Sequence, residues 1–355
     1  MTIHTYGWNE TWDPHLPSDA FPEGIPARVI AEHRELYRVH TGTQELPARV
    51  SGRLRHLAAS LADLPAVGDW VLIEPTEAGS DAVIHVVLPR ATQFSRKAAG
   101  TRTDEQVVAA NVDTVWIVSA FGYDLNPARI DRYVSLVWQG GASPVVVLTK
   151  SDLAEYPDVT VAELEERVVA VPVHAVSSVS GSGLEALHEY LVPGRTIALL
   201  GSSGVGKSTL LNRLCGREVM QVSEVRSGQG KGRHKTSHRQ LVLLPTGALL
   251  LDTPGMRELQ LWNADDGVGK SFEDIEALAA QCRFADCTHQ SEPGCAVRAA
   301  VEKGDLPADR LTSFSKLRDE LAYLDRKQDK RAEIEEQRKW REIAKVRRRI
   351  NKGRD

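Results

Sequence analysis

Nine residues, GSSGVGKST from Gly201 to Thr209, constrain the fold of this chain more than any other stretch. They satisfy G-x-x-x-x-G-K-[ST], follow the apolar run RTIALLG (195–201) and lead into TLLNRLCG, whose apolar positions recur at helical spacing. A strand, a glycine-rich turn and a helix in that order aim unpaired backbone N–H groups and the positive end of a helix at one point, a cradle for phosphate. Gly201, Ser202, Ser203, Gly204, Val205 and Gly206 form the loop. Lys207 reaches for β- and γ-phosphates, and Ser208, followed by Thr209, offers its hydroxyl to magnesium.

The second constraint is order. VVVLTKSDL, Val145 to Leu153, ends a buried strand about fifty residues before the phosphate loop. Asp152 in this segment can accept hydrogen bonds from the ring N–H and exocyclic amine of guanine, a donor pair that adenine lacks. Each bond to a charged group contributes roughly 1.5–3 kcal/mol, so the pair discriminates by a few powers of ten. Lys150 lays its stem along the base, with Ser151 between the two. VSSVSGSGL, Val176 to Leu184, comes one strand-helix unit later; Ser177 and Ser178 belong to a loop whose backbone amides face the guanine oxygen. Thr149 stands where most guanine sites carry Asn, which shifts the weight of recognition onto Asp152. In an open parallel sheet the ligand loops all emerge at the carboxyl ends of strands, so the pocket survives when the chain is cut and rejoined elsewhere. Base motifs ahead of phosphate motifs therefore read as a circular permutation.

Downstream, LLLDTPGM ends a strand with Asp252, placed to hold magnesium, commonly through water, and with Gly255, whose N–H faces the γ-phosphate. Between these motifs runs RSGQGKGRHKTSHR, Arg226 to Arg239, polar and glycine-rich enough to be ordered only by a ligand. It reads either as a nucleotide-sensing switch, with Thr236 as second magnesium ligand, or as a simple basic loop. Met256 occupies the place where many GTPases carry a water-orienting glutamine. A thioether cannot orient water, so hydrolysis by the isolated chain should be slow. His234 is the candidate replacement, the alternative being a surface or structural histidine.

The rest of the chain is multidomain in texture: 355 residues exceed one core. Residues 1–24, rich in Pro and Trp, show no periodicity and read as an extension without predicted order. From 25 to 92 about five short alternating segments suggest a small barrel, of oligonucleotide-binding or SH3-like type. FSRKAAGTRTDEQVVAAN follows as a polar connector. Strands at 114–121, 144–150, 168–177, 195–201, 240–245 and 248–255, with helices near 127–139, 160–167 and 182–191, argue for a mostly parallel sheet covered on both faces. From about Ser271 the chain is helical and polar, and it ends in a long charged helix.

Cys282, Cys287, His289 and Cys295 form C-x4-C-x-H-x5-C. Three thiolates and an imidazole make a closed tetrahedral set suited to structural zinc, with an iron–sulfur site as the alternative. Cys215, on the helix after the phosphate loop, reads as packing. The net charge is −4, yet Arg338 to Asp355 carries nine Lys and Arg against Glu342 and Asp355, which points to a polyanionic partner or to an ordinary solvated helix. No apolar run is long enough to span a membrane and the N-terminus has no signal-peptide pattern, so a cytoplasmic protein is expected; the sequence gives no sign of oligomerisation, so a monomer is the default.

Barrel, permuted nucleotide domain and Cys/His cluster together resemble the ribosome small-subunit-dependent GTPase A family, known as RsgA or YjeQ. The resemblance runs from about Ala27 to the C-terminal helix and includes VGDWV, SRKAAG, EQVVAANVD, GRHKTS and LDTPGMREL. It implies a multidomain α/β protein: an OB-fold RNA-binding barrel at 25–92, a circularly permuted P-loop GTPase domain at 93–265 and a zinc-binding helical domain at 266–355. It also implies a GTPase, stimulated by the small ribosomal subunit, that acts late in that subunit's maturation and binds its rRNA, with one zinc and with magnesium alongside GTP. It supports Lys207, Thr236 and His234 as the catalytic set. The alternatives are a GTP-binding RNA adaptor with negligible hydrolysis, or a permuted GTPase with a non-ribosomal target.

Overall fold

The computed structural model describes residues 2–16, 24–33, 36–76, 81–97, 105–220, 239–252, 265–324 and 326. The barrel comprises β1 (Ile25–His33), β2 (Leu36–His40), β3 (Glu45–Val50), the short helix α1 (Gly52–Leu57), β4 (Trp70–Pro75) and β5 (Ala82–Val87). Strict alternation in β2 and β3 sends Tyr37, Val39, Leu46 and Ala48 inward, where they meet Val29, Val71, Ile73 and Ile84. Hydrogen bonding runs β1-β2-β3-β5-β4 and returns to β1, so no edge is left within the barrel. The closed five-stranded order settles the barrel as OB-like.

The expected polar connector is instead a hairpin of β6 (Gln93–Lys97) and β7 (Glu105–Ala110). Its strands bury Phe94, Val107, Val108 and Ala109, apolar positions that the flanking charges disguise in the sequence.

The nucleotide domain comprises β8 (Thr114–Ala120), α2 (Pro127–Gln139), β9 (Ser143–Thr149), α3 (Pro157–Arg167), β10 (Val173–Val176), β11 (Thr196–Leu200), α4 (Lys207–Cys215), β12 (Arg239–Leu243) and β13 (Leu249–Asp252). The strand order is β10-β9-β8-β11-β13-β12, parallel except for β12. Most predicted elements stand, with three adjustments. The 168–177 strand begins only at Val173, after Ala170 at φ 58° and Pro172. The 182–191 helix is a 3-10 turn, Leu184–Tyr190, and the 160–167 helix starts earlier, at Pro157. Asn126 caps α2 through Oδ1, which accepts from Arg129 N at 3.0 Å. One face of the sheet packs Ile117, Val146 and Leu148 against α2, and the other packs Val118, Val145 and Val147 against α4.

The sheet runs on into the barrel, because β12 pairs antiparallel with β1 through Ala31↔Gln240 and Glu32↔Arg239. Residues 2–16 of the N-terminal extension, expected to lack order, are built into this junction. Trp8 and Trp12 are buried against Trp70, ring centroids 4.9 and 6.1 Å away, and Tyr6 stacks on His40 at 4.0 Å. Its aromatic residues supply burial that a periodicity argument cannot register in so short a segment.

The C-terminal part comprises α5 (Asp265–Ser271), α6 (Glu273–Ala279), α7 (Ala296–Lys303) and α8 (308–324). Arg310, 2% exposed, ties it to the nucleotide domain: Nη1 contacts Asp131 of α2 at 3.3 Å, while Nε and Nη2 donate to Asp274 at 2.6 and 2.8 Å. Asp131, 1% exposed, also accepts from Arg167 of α3 at 2.6 Å, and Arg167 reaches Asp309 at 2.7 Å. Each of these buried charges has opposite charge and hydrogen bonds around it, the condition under which burial is tolerated.

Candidate functional site

β11 pairs with β8 on one side and β13 on the other, while β9 and β10 continue away from β8. The chain therefore changes direction across the sheet between β8 and β11. Ligand crevices in open α/β sheets lie at such a point, beyond the carboxyl ends of the strands. The phosphate loop 201–206 leaves β11 there, residues 149–152 leave β9, and residues 177–183 leave β10.

Gly201 turns sharply out of β11 at φ 154°, and a Cβ on it would lie 2.1 Å from Val118 O. Only glycine brings the loop this close to β8. Gly204 and Gly206 also have positive φ, and α4 begins at Lys207 with its first N–H groups facing the loop. Nζ of Lys207 donates to Gly201 O at 2.9 Å and Ser202 O at 2.5 Å, so the ammonium lies over the cradle formed by its own loop. Ser208 is half-buried in the first turn of α4, while Ser203, Gly204 and Thr209 are exposed and Val205 is buried.

The base-side loop is tied to this cradle by two bonds. Thr149 Oγ1 lies 2.5 Å from Val205 O and 3.2 Å from Ser119 O, with one hydrogen to donate between them, and Lys150 Nζ donates to Gly204 O at 3.2 Å. Lys150 holds a left-handed conformation, φ 62°, which turns the chain from β9 into the 3-10 helix Ser151–Leu153. Asp152 accepts from Ser177 Oγ at 2.5 Å, and Ser177 Oγ in turn accepts from the amides of Val179 and Ser180 at 3.2 and 3.1 Å. The loop behind Ser177 and Ser178 closes at Gly183, φ 73°, where a Cβ would lie 2.2 Å from Ala175 O. The structure thus brings Thr149, Lys150, Ser151, Asp152, Ser177, Ser178, the phosphate loop, Lys207 and Ser208 to one edge of the sheet. Sequence reasoning missed Ser119 and the loop-to-loop tether at Thr149, which no spacing rule signals.

Asp252 ends β13, one residue beyond the registered pair Ala198↔Leu251, at the same edge as Gly201. The backbone thus places positions 208 and 252 on neighbouring elements at this edge, and serine and aspartate are residue types whose hard oxygens suit magnesium held together with phosphates. Thr236, His234, Gly255 and Met256 lie outside the described residues, as do most of the 226–239 segment and the basic stretch 338–355.

The second cluster is compact. Cys282 Sγ and Cys295 Sγ lie 3.9 Å apart and 3.7 and 3.5 Å from His289 Nδ1, and all four ligand atoms, Cys287 included, fall within 4.8 Å of one another. A tetrahedron with ordinary zinc bond lengths has S···S edges of about 3.8 Å and S···N edges of about 3.5 Å. The four residues therefore fit one structural zinc. Burial, with Arg318 nearby, holds the His289 imidazole below its ordinary value, which keeps it neutral as a ligand must be. Glu292 shapes the loop between ligands: its carboxylate accepts from the Thr288 hydroxyl and from the amides of Thr288, Gln290 and Ser291 at 2.9–3.0 Å. The Thr288 hydroxyl first, then the amides of Thr288, Glu292 itself and Ser291, bring its pKa down to about 2. Cys295 also caps α7, its Sγ accepting from Arg298 N at 3.4 Å.

Comparison with known proteins agrees with this geometry. The family model described as RsgA GTPase matches residues 87–262. A model described as ABC transporter matches 184–353, a span that contains the phosphate loop common to P-loop NTPases. A protein of Opitutus terrae named small ribosomal subunit biogenesis GTPase RsgA is 46% identical over 354 residues, covering 97% of this chain and 96% of its own. One of Lactiplantibacillus plantarum, named RsgA 2, is 46% identical over 299 residues, 84% of each chain. Among solved structures, YjeQ from Thermotoga maritima superposes with a TM-score of 0.63 at 29% identity, covering 84% of this chain and 98% of that one. YloQ, described as a circularly permuted GTPase, gives 0.58 at 24% identity over 85% and 97%, a likeness of fold.

Proposed function

The chain belongs to the RsgA GTPase family, and from that premise we propose that it hydrolyses GTP as a biogenesis factor of the small ribosomal subunit. The observation that carries the GTP reading is the convergence, at one sheet edge, of a carboxylate poised for a guanine edge and an amide-lined phosphate cradle. These two half-sites are held in register by Thr149 and Lys150 of the base loop, whose side chains donate to the Val205 and Gly204 carbonyls of the phosphate loop.

In this reading Asp152 accepts from the guanine ring N–H and amine while Ser177 Oγ fixes its carboxylate. The amides of 201–206 and the Lys207 ammonium balance charge that builds on the β- and γ-phosphates as the bond to the γ-phosphate breaks. Magnesium, when bound, adds positive charge against the same oxygens, with Ser208, Thr236 and Asp252 as its candidate holders. Met256 supplies no hydrogen bond to the attacking water, so turnover is slow until docking brings another group into place; His234 is the proposed one. A His234→Ala protein with full subunit-stimulated turnover and unchanged GTP affinity would remove that assignment.

The OB-like barrel, the zinc-bearing domain and the basic stretch from Arg338 are the proposed grips on rRNA, the last in a salt-dependent way. Among the described residues no helix is long and apolar enough to cross a membrane, and a cytoplasmic, monomeric protein is proposed. Phosphate release is to be measured with and without purified small subunits. Strong stimulation is expected; a rate indifferent to ribosomes would refute the ribosomal assignment, and occupancy without turnover would refute the enzymatic one.

A further inference from the structure

Thr149 joins the base loop to the phosphate loop, and its chemistry is narrower than that of the carboxamide most guanine sites place there. The residue is 2% exposed, with Oγ1 2.5 Å from Val205 O and 3.2 Å from Ser119 O. A hydroxyl carries one hydrogen, and both neighbours are carbonyl oxygens that only accept. In either rotor position the hydrogen is committed to protein, and what remains for a base is a lone pair. On its other edge guanine presents N7 and O6, both acceptors. A carboxamide has two N–H groups and can serve a loop carbonyl and N7 together; Thr149 cannot.

We propose that Thr149 is a positioning residue that fastens the phosphate loop to β9, and that it leaves guanine N7 unread, so that base selection falls on the ring N–H and amine facing Asp152. This rests on the guanine reading above and makes it more specific. Asp152 is prepared for that burden, since Ser177 fixes its carboxylate and the Val179 and Ser180 amides fix Ser177 in turn. Lys150 crosses to Gly204 O, so its ammonium too is directed at the phosphate loop rather than at the base edge.

The test is calorimetry on the full chain with magnesium and four nucleotides: GTP, 7-deaza-GTP, inosine triphosphate and ATP. The expected result is 7-deaza-GTP within about twofold of GTP, and inosine triphosphate, which lacks the amine, weaker by about tenfold or more, the loss of one bond to a charged group. A 7-deaza-GTP affinity tenfold or more below that of GTP, with ATP still rejected, would overturn the inference and leave the guanine reading intact. Equal binding of GTP and ATP would remove that reading and the inference with it. Thr149→Val should weaken GTP and GDP by the same factor, with Thr149→Ser restoring both, because the tether serves the loop and not one phosphate. Undiminished binding of both nucleotides by Thr149→Val would overturn the tether. Thr149→Asn should create a preference of about two- to tenfold for GTP over 7-deaza-GTP, the value of one neutral hydrogen bond.

Discussion

Arg28 sits where four parts of the chain meet, and its replacement by methionine tests how the barrel is fixed to the nucleotide domain. Nε donates to Gly68 O at 2.8 Å, Nη1 to Tyr6 O at 2.7 Å, and Nη2 to Asn111 O at 2.9 Å and Thr196 Oγ1 at 3.2 Å. The guanidinium also lies 4.8 Å from the centroid of the Trp70 ring. Burial lowers its pKa from 12.5 to about 10, opposed by the charges of Asp113 and Asp69. That net shift corresponds to roughly 3 kcal/mol against keeping the buried charge, a cost that an apolar side chain does not incur. Methionine keeps the apolar stem and strands three acceptors, since Gly68 O retains the Asn111 Nδ2 donor at 3.1 Å. At about 1–3 kcal/mol for each stranded group, less the relieved desolvation, Arg28→Met should destabilise the junction by about 3 kcal/mol. Urea unfolding followed by tryptophan fluorescence reads it, because Trp8, Trp12 and Trp70 cluster at this point. With several domains more than one transition is expected, and the one carrying the fluorescence change should move to lower urea. A shift below about 1 kcal/mol, or a fluorescence transition left in place, would refute the reasoning.

Chelation of zinc, or Cys287→Ser, should unfold the 282–295 loop while leaving GTP affinity within about twofold, because among the described residues the cluster packs on α6, α7 and α8, through Ala279, Arg298 and Phe314; melting and calorimetry on the same samples check both halves. Asp131→Asn leaves Arg167 and Arg310 without their shared carboxylate and should cost about 3–5 kcal/mol, read by chemical denaturation; a loss under 1 kcal/mol would show the network to be dispensable. Glu292, whose pKa is lowered from 4.5 to about 2, contributes stability that is complete above its unfolded value and is lost as pH falls from about 4.5 towards 2. Wild type should therefore lose more stability than Glu292→Gln between pH 5 and pH 3, and parallel acid curves would contradict this.

The nucleotide domain was legible because its signals are local: a glycine pattern between strand and helix, an aspartate after a buried strand, four metal ligands within fourteen residues. Each keeps its meaning whatever the rest of the chain does, and the motif order was enough to anticipate the permutation. What escaped depends on distant partners. Tyr6, Trp8 and Trp12 carry no period, yet they are buried because Trp70, from another part of the chain, offers them a surface. Arg28 reads as an ordinary strand residue; its four acceptors come from positions 6, 68, 111 and 196. Gln93–Lys97 and Glu105–Ala110 read as a connector because the alternating apolar residues are interrupted by charge. Thr149 was visible as a departure from the usual asparagine, but only the 2.5 Å approach to Val205 O shows what its hydroxyl does.

Everything proposed for this protein depends on one pocket that selects guanine through Asp152 and holds phosphate in the 201–206 loop. Titration calorimetry of the purified chain with GTP and with ATP in magnesium, repeated on Asp152→Asn, tests it most directly. Two bonds to a carboxylate predict a GTP preference of at least about a hundredfold, collapsing in the variant. Equal binding of the two nucleotides, or a preference that survives Asp152→Asn, would contradict it.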